Sequence, residues 1–84
     1  MTAFDFIYDE FFNGENHPIP DVKVSSKELA TELQTAVCYF HEDKTIFGRA
    51  EKQIEYIADM FFKRSDRSAV ISRLSSFCYY GDLW

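Results

Sequence analysis

Apolar residues recur three and four positions apart in four separate stretches of this chain. A helix can gather that spacing onto one face, and a strand cannot. In the first stretch the stripe is Phe4, Ile7, Tyr8, Phe11 and Phe12. Asp5 and Asp9 fall on the other side, and Phe6 stands off the stripe, where it is expected to be exposed. Thr2 can cap this helix. Asn13-Gly14 can end it, because glycine adopts the left-handed conformation of a C-terminal cap. The spacing predicts a helix over about 3–13.

A loop is expected over 14–25, punctuated by Gly14, Asn16, Pro18 and Pro20. The residues before the two prolines avoid the helical region. Val22-Lys23-Val24 alternates like a strand but has no second strand to pair with, and so reads as an extended lead-in. Ser25 and Glu28 have the spacing of a capping box. Leu29, Leu33, Ala36, Val37 and Phe40 then mark the buried face of a helix over about 26–42. Asp43 or Thr45 can cap a third helix over about 46–64. Its stripe is Phe47, Ala50, Ile54, Ile57, Ala58 and Phe61. Gly48 weakens its first turn by about 1 kcal/mol relative to alanine. Lys63-Arg64 is expected in its last turn, where positive charge suits the helix dipole. Ser65 or Asp66 caps a fourth helix over about 67–80. Val70, Ile71, Leu74, Phe77 and Cys78 form its core face, and Gly81 stops it.

The expected fold class is therefore all-α, a small antiparallel bundle of about four helices. The long Pro-containing loop lets the first helix pack across the other three. The whole of 1–84 is expected to be a single helical domain. A chain this short needs a dense core. Nine phenylalanines supply one, at roughly 1.5–3 kcal/mol for each ring buried.

The two cysteines, Cys38 and Cys78, read as small core hydrophobes. The N-terminus has no basic region of the signal-peptide kind. No apolar run approaches the roughly 20 residues of a membrane span. A cytoplasmic protein without a membrane segment or a disulfide is expected.

Charge narrows the choice of partner. The net charge is −5, and it is unevenly spread. Residues 1–62 carry five bases and twelve acids, and residues 63–84 carry four bases and two acids. Such a body repels nucleic-acid phosphates and steers towards positive surfaces. The third and fourth helices have the outline of a helix-turn-helix, with Arg64, Arg67 and Arg73 as the candidate contacts of a transcription-associated regulator. The frame fits poorly: Phe61, Ser65 and Asp66 stand where a small residue, a glycine and an apolar residue are usual. The acidic body also lacks the basic footprint of a DNA-binding domain. Direct DNA binding is not expected.

Catalysis and metal binding find little support. His17, Cys38, His41 and Cys78 are the whole complement of His and Cys. Cys38 and His41 share a helix face, but no second close pair completes a zinc site of ordinary spacing. A nucleophilic Cys38 would need His41 in contact and a third group to orient it. No catalytic residue, metal or cofactor is expected, and the chain does not read as an enzyme.

The remaining signal is acidic and aromatic. Glu51, Glu55 and Asp59 recur at i, i+4 and i+8 on the third helix. Carboxylates at that spacing rise about 6 Å apart along the axis, and phosphates of a DNA strand about 3.4 Å. The spacing permits mimicry of nucleic acid, although a solvated face is the usual explanation. Tyr56, Tyr79, Tyr80, Trp84 and Phe6 are surplus to the core stripes, and tyrosine and tryptophan dominate binding hot spots. The expectation is a small acidic binding module that inhibits a protein with a basic surface, including one that itself binds nucleic acid. Its site would comprise Phe6, Glu51, Glu55, Tyr56, Asp59, Tyr79, Tyr80 and Trp84. Immunity, antitoxin and phage anti-defence proteins need no more than this. The alternatives are a transcription-associated regulator using the hairpin of the third and fourth helices, or a homo-oligomeric assembly subunit formed through the Ser68, Ser72, Ser75 and tyrosine face.

Overall fold

The computed structural model describes residues 2–12 and 24–80. The expectations for residues 13–23, for Gly81 and for Trp84 lie outside the described residues. The chain is all-α. Helix α1 spans Ala3–Ile7 and continues as a π-helical turn over Tyr8–Phe12. Helix α2 spans Ser26–Asp43, α3 spans Arg49–Phe61 and α4 spans Arg67–Tyr80. A 3-10 turn over Arg64–Asp66 leads into α4.

Local sequence sets most of these boundaries. Thr2 Oγ1 accepts from the Asp5 N–H at 3.1 Å, and the Thr2 N–H donates back to Asp5 Oδ2 at 3.4 Å. This reciprocal pair is the capping box of α1. At α2 only half of the expected box forms: Ser25 Oγ accepts from the Glu28 N–H at 3.1 Å. Helix α2 ends at Lys44, which is left-handed with φ 60° and donates its N–H to the Phe40 carbonyl at 2.9 Å.

Helix α3 departs from expectation at both ends. It starts at Arg49 and stops at Phe61, with Gly48 as its N-cap and no side-chain cap bond. Thr45 instead accepts from the Phe47 N–H at 3.1 Å, within the connection. Phe47, expected in the core stripe, therefore sits before the helix and is 71% exposed, while Ile46 turns inward in its place. Lys63 and Arg64 lie beyond the last turn of α3. The backbone at Phe62 is extended, and its ring is buried against Phe11 with centroids 5.0 Å apart.

Helices α2 and α3 form an antiparallel hairpin. Arg49 meets Asp43 at its closed end, and Gln53 Nε2 donates to the backbone and side-chain oxygens of Glu32 at 3.1 and 3.0 Å. Helix α1 starts against α2, where Thr2, Ala3 and Phe4 face Lys27, Ala30 and Gln34 across a shallow groove. It then runs antiparallel to α4: the Phe6 ring lies tilted against Phe77 with centroids 4.5 Å apart, and Glu10 pairs with Arg73 at 3.5 Å. The first helix thus touches both α2 and α4.

One hydrophobic cluster joins all four helices. It includes Ile7 and Phe11, Leu29 and Leu33, Ile54 and Ile57, and Val70 and Leu74. Small residues at Ala3, Ala30, Ala36, Ala50 and Ala58 are also buried and let the helices approach closely.

The two thiols are free and differ sharply: Cys38 is exposed and Cys78 is buried. Burial pushes the Cys78 thiol up from its ordinary value of 9.0 to about 11. The unfolded chain gives up this proton first, so the contribution of Cys78 to stability is complete below pH 9 and is lost as pH rises through about 11. A maleimide at neutral pH is expected to add once per native molecule, at Cys38. Mass spectrometry of the adduct checks this, and rapid labelling of both cysteines would contradict the buried placement of Cys78.

Candidate protein-interaction surface

The register of α1 decides which aromatic rings reach the surface. Its inward residues are Ala3, Phe6, Ile7, Glu10 and Phe11, of which Ala3, Ile7 and Phe11 are buried. That is the expected i, i+3, i+4, i+7, i+8 stripe slid back by one residue, a rotation of about 100° about the helix axis. Phe6 is therefore not a free anchor. It is half-buried and touches Phe11 as well as Phe77, with a centroid distance of 6.4 Å to Phe11. Phe4, Tyr8 and Phe12, expected inside, are exposed instead.

The π-helical turn keeps this arrangement in step. Its wider turn, closed by i→i+5 bonds, holds residues four apart in line. Ala3, Ile7 and Phe11 stay inward, and Phe4, Tyr8 and Phe12 stay outward, over the full length of the segment.

On α3 the three carboxylates have different fates. Glu51 is exposed, and Glu55 is half-buried. Asp59 accepts from Arg67 Nε at 2.6 Å. That hydrogen bond, with the charges of Asp59 and Glu55, raises the Arg67 guanidinium above its ordinary value. The stripe thus presents two carboxylates where sequence spacing suggested three. Tyr56 is exposed and sets its edge against Phe61, with centroids 6.1 Å apart, and Met60 is exposed one turn further on.

At the far end of the bundle Tyr79 and Tyr80 are both exposed. Tyr79 meets Phe40 edge-on at 5.4 Å, and Phe40 also meets His41. The structure therefore exposes Tyr56 on α3 and the neighbouring Tyr79 and Tyr80 at the end of α4.

The basic corner is largely neutralised within the fold. Arg67 is held by Asp59. Arg73 is half-buried beside Glu10, with Nη1 enclosed and without a hydrogen-bond partner among the described residues. Arg64 lines an open cavity of about 500 Å³ with Asp59, Phe62 and Arg67. That cavity thus carries two guanidinium groups and one carboxylate, which Arg67 already pairs.

A second ionic cluster is structural. Arg49 grips Asp43 with both Nε and Nη2, at 3.1 and 2.7 Å, reaches Glu42 at 3.2 Å and stacks on the Tyr39 ring at 4.5 Å. The Arg49 guanidinium holds the Asp43 carboxyl below its usual range. This clasp ties the end of α2 to the start of α3.

Among the described residues no group of three or more His, Cys, Asp or Glu side chains could hold a metal ion. Among the same residues, no helix is long and apolar enough to cross a membrane. Comparison with protein-family models, with curated proteins and with solved structures gives no match to this chain.

Proposed function

We propose that this protein binds and inhibits a partner protein with a basic surface, in the manner of immunity, antitoxin or anti-defence proteins. One observation carries the reading. On a chain of net charge −5, the described residues expose eight large apolar side chains, namely Phe4, Tyr8, Phe12, Phe47, Tyr56, Met60, Tyr79 and Tyr80. Scattered single apolar residues are ordinary on a surface, but exposed rings beside carboxylates are the usual make-up of binding anchors and their rim. In such a complex charge sets the encounter rate and excludes wrong partners, and the rings set the lifetime. Binding of this kind requires no catalytic residue and no cofactor.

Nucleic-acid mimicry by α3 is the weaker form of this reading, since Arg67 already occupies Asp59. A cytoplasmic target suits the free thiols. The test begins with a pull-down from the native host and identification of the recovered protein by mass spectrometry. Glu51→Lys with Glu55→Lys is then compared with the parent in association kinetics. Steering by charge predicts an association rate lower by about tenfold at low salt, with a small change in dissociation rate. An unchanged association rate would remove the electrostatic part of the proposal.

A further inference from the structure

We propose that the outer ridge of α1, formed by Phe4, Tyr8 and Phe12, is the docking edge for a basic amphipathic helix of the partner protein. This inference rests on the reading of the protein as a binder of basic partners, and it names the face and the element bound.

Three observations on the same segment carry it. First, Phe4, Tyr8 and Phe12 are 45%, 45% and 38% exposed, and the Phe4 and Tyr8 rings stack with centroids 6.4 Å apart. They stand at i, i+4 and i+8 along α1 and the π-helical turn that continues it. Rows of that spacing are the ridges that interlock in the commonest class of helix packing, so a second helix is the natural occupant. Second, a shallow groove of about 450 Å³ lies beside Phe4 between α1 and α2, floored by Ala3 and Ala30 and reached by Lys27. Side chains of a docked helix can enter it. Third, the charge carried by residues 2–12 themselves is of one sign, with Lys27 across the groove on α2. Asp5 and Asp9 are exposed next to the rings, and residues 1–22 contain no Lys or Arg. Among the described residues no salt bridge ties Asp9 to a base. A helix with lysines or arginines along the edges of its apolar face matches this pattern. A second copy of the chain would set Asp5 and Asp9 against their own duplicates, and an anionic membrane would be repelled.

The experiment uses the full chain, labelled with ¹⁵N. One probe is a designed 18-residue Leu/Lys peptide with leucines at helical spacing. The other has the same composition, scrambled so that no face forms. The amphipathic peptide is expected to shift the amides of Phe4 to Phe12 and to bind about tenfold more tightly than the scrambled one. Tyr8→Ser is expected to weaken it by about tenfold with an unchanged melting temperature, because Tyr8 lies outside the core. If that variant does not fold, Asp9→Lys serves instead and is expected to weaken binding in the same direction. Equal affinity for both peptides would reduce the interaction to charge and overturn the docking ridge. Shifts confined to α3 around Glu51 and Glu55 would overturn the ridge and leave the basic-partner reading standing. Binding of neither peptide would overturn both. Concentration-dependent broadening along α1 without peptide, abolished by Tyr8→Ser, would make a second copy the occupant and also overturn the proposal.

Discussion

Phe11→Ala is expected to lower the stability of the domain by about 3–5 kcal/mol, while Phe12→Ala costs less than about 1 kcal/mol. Both residues belong to the stripe suggested by sequence spacing, so their contrast reports on the rotation of α1 alone. The Phe11 ring is buried and contacts Phe62 at 5.0 Å and Phe6 at 6.4 Å. Its removal leaves a void where α1 meets the end of α3. The Phe12 residue is 38% exposed and lies outside the buried cluster. Small domains have total stabilities of about 5–15 kcal/mol, so Phe11→Ala removes a large share of what is present. Urea denaturation followed by circular dichroism measures both variants. Equal losses, or a larger loss at Phe12, would return α1 to the register of Phe4, Ile7, Tyr8, Phe11 and Phe12.

Gly48→Ala is the second large effect, at about 1–3 kcal/mol. Gly48 has φ 128° and ψ −129°, backbone angles that a residue with a side chain rarely adopts. Space is not the obstacle, because a Cβ there would meet only Asp43 Oδ2 at 3.9 Å. The cost is therefore conformational, and Gly48→Val should not be relieved by any side-chain adjustment. Lys44 offers the control in the same connection. It is left-handed at φ 60°, so Lys44→Gly removes strain and is expected to be neutral or stabilising by up to about 1 kcal/mol. Thermal melts of the two variants check the opposite signs. A neutral Gly48→Ala would mean that the connection between α2 and α3 takes another path.

The sequence is most legible where one apolar stripe has no rival. Leu29, Leu33, Ala36 and Val37 on α2, and Ala50, Ile54, Ile57 and Ala58 on α3, are buried as their spacing predicts. So are Val70, Leu74, Phe77 and Cys78 on α4. In α1 two stripes differ by a single step and share Ile7 and Phe11. The stripe that the structure turns inward has Ala3, Phe6 and Glu10 in place of Phe4, Tyr8 and Phe12. An acid on the inward face argues against it until its partner is known, and that partner is Arg73, 63 positions further along the chain. Long-range ion pairs of this kind leave no local signature. The small Ala3 was the one local hint, since close approach to Ala30 needs a residue without bulk.

The surface follows the same division. Tyr56, Tyr79 and Tyr80 lie outside every core stripe and are exposed, as their positions imply. Phe6 failed as an anchor because it depends on the register of α1. Phe47 failed as a core residue because the connection, fixed by Lys44 and Gly48, delays the start of α3 by three residues. The pairing of Asp59 with Arg67 was hidden by the turn between α3 and α4, which brings the two residues together only in the fold.

The central claim is that an acidic, ring-studded helical scaffold binds a basic protein surface. Its most direct measurement is the salt dependence of affinity for the protein recovered from the host. Pairing of opposite charges predicts a dissociation constant that rises steeply from low to physiological ionic strength, while a residual, salt-resistant affinity persists from the buried rings. An affinity indifferent to salt, or a recovered partner whose contact surface is itself acidic, would contradict the account.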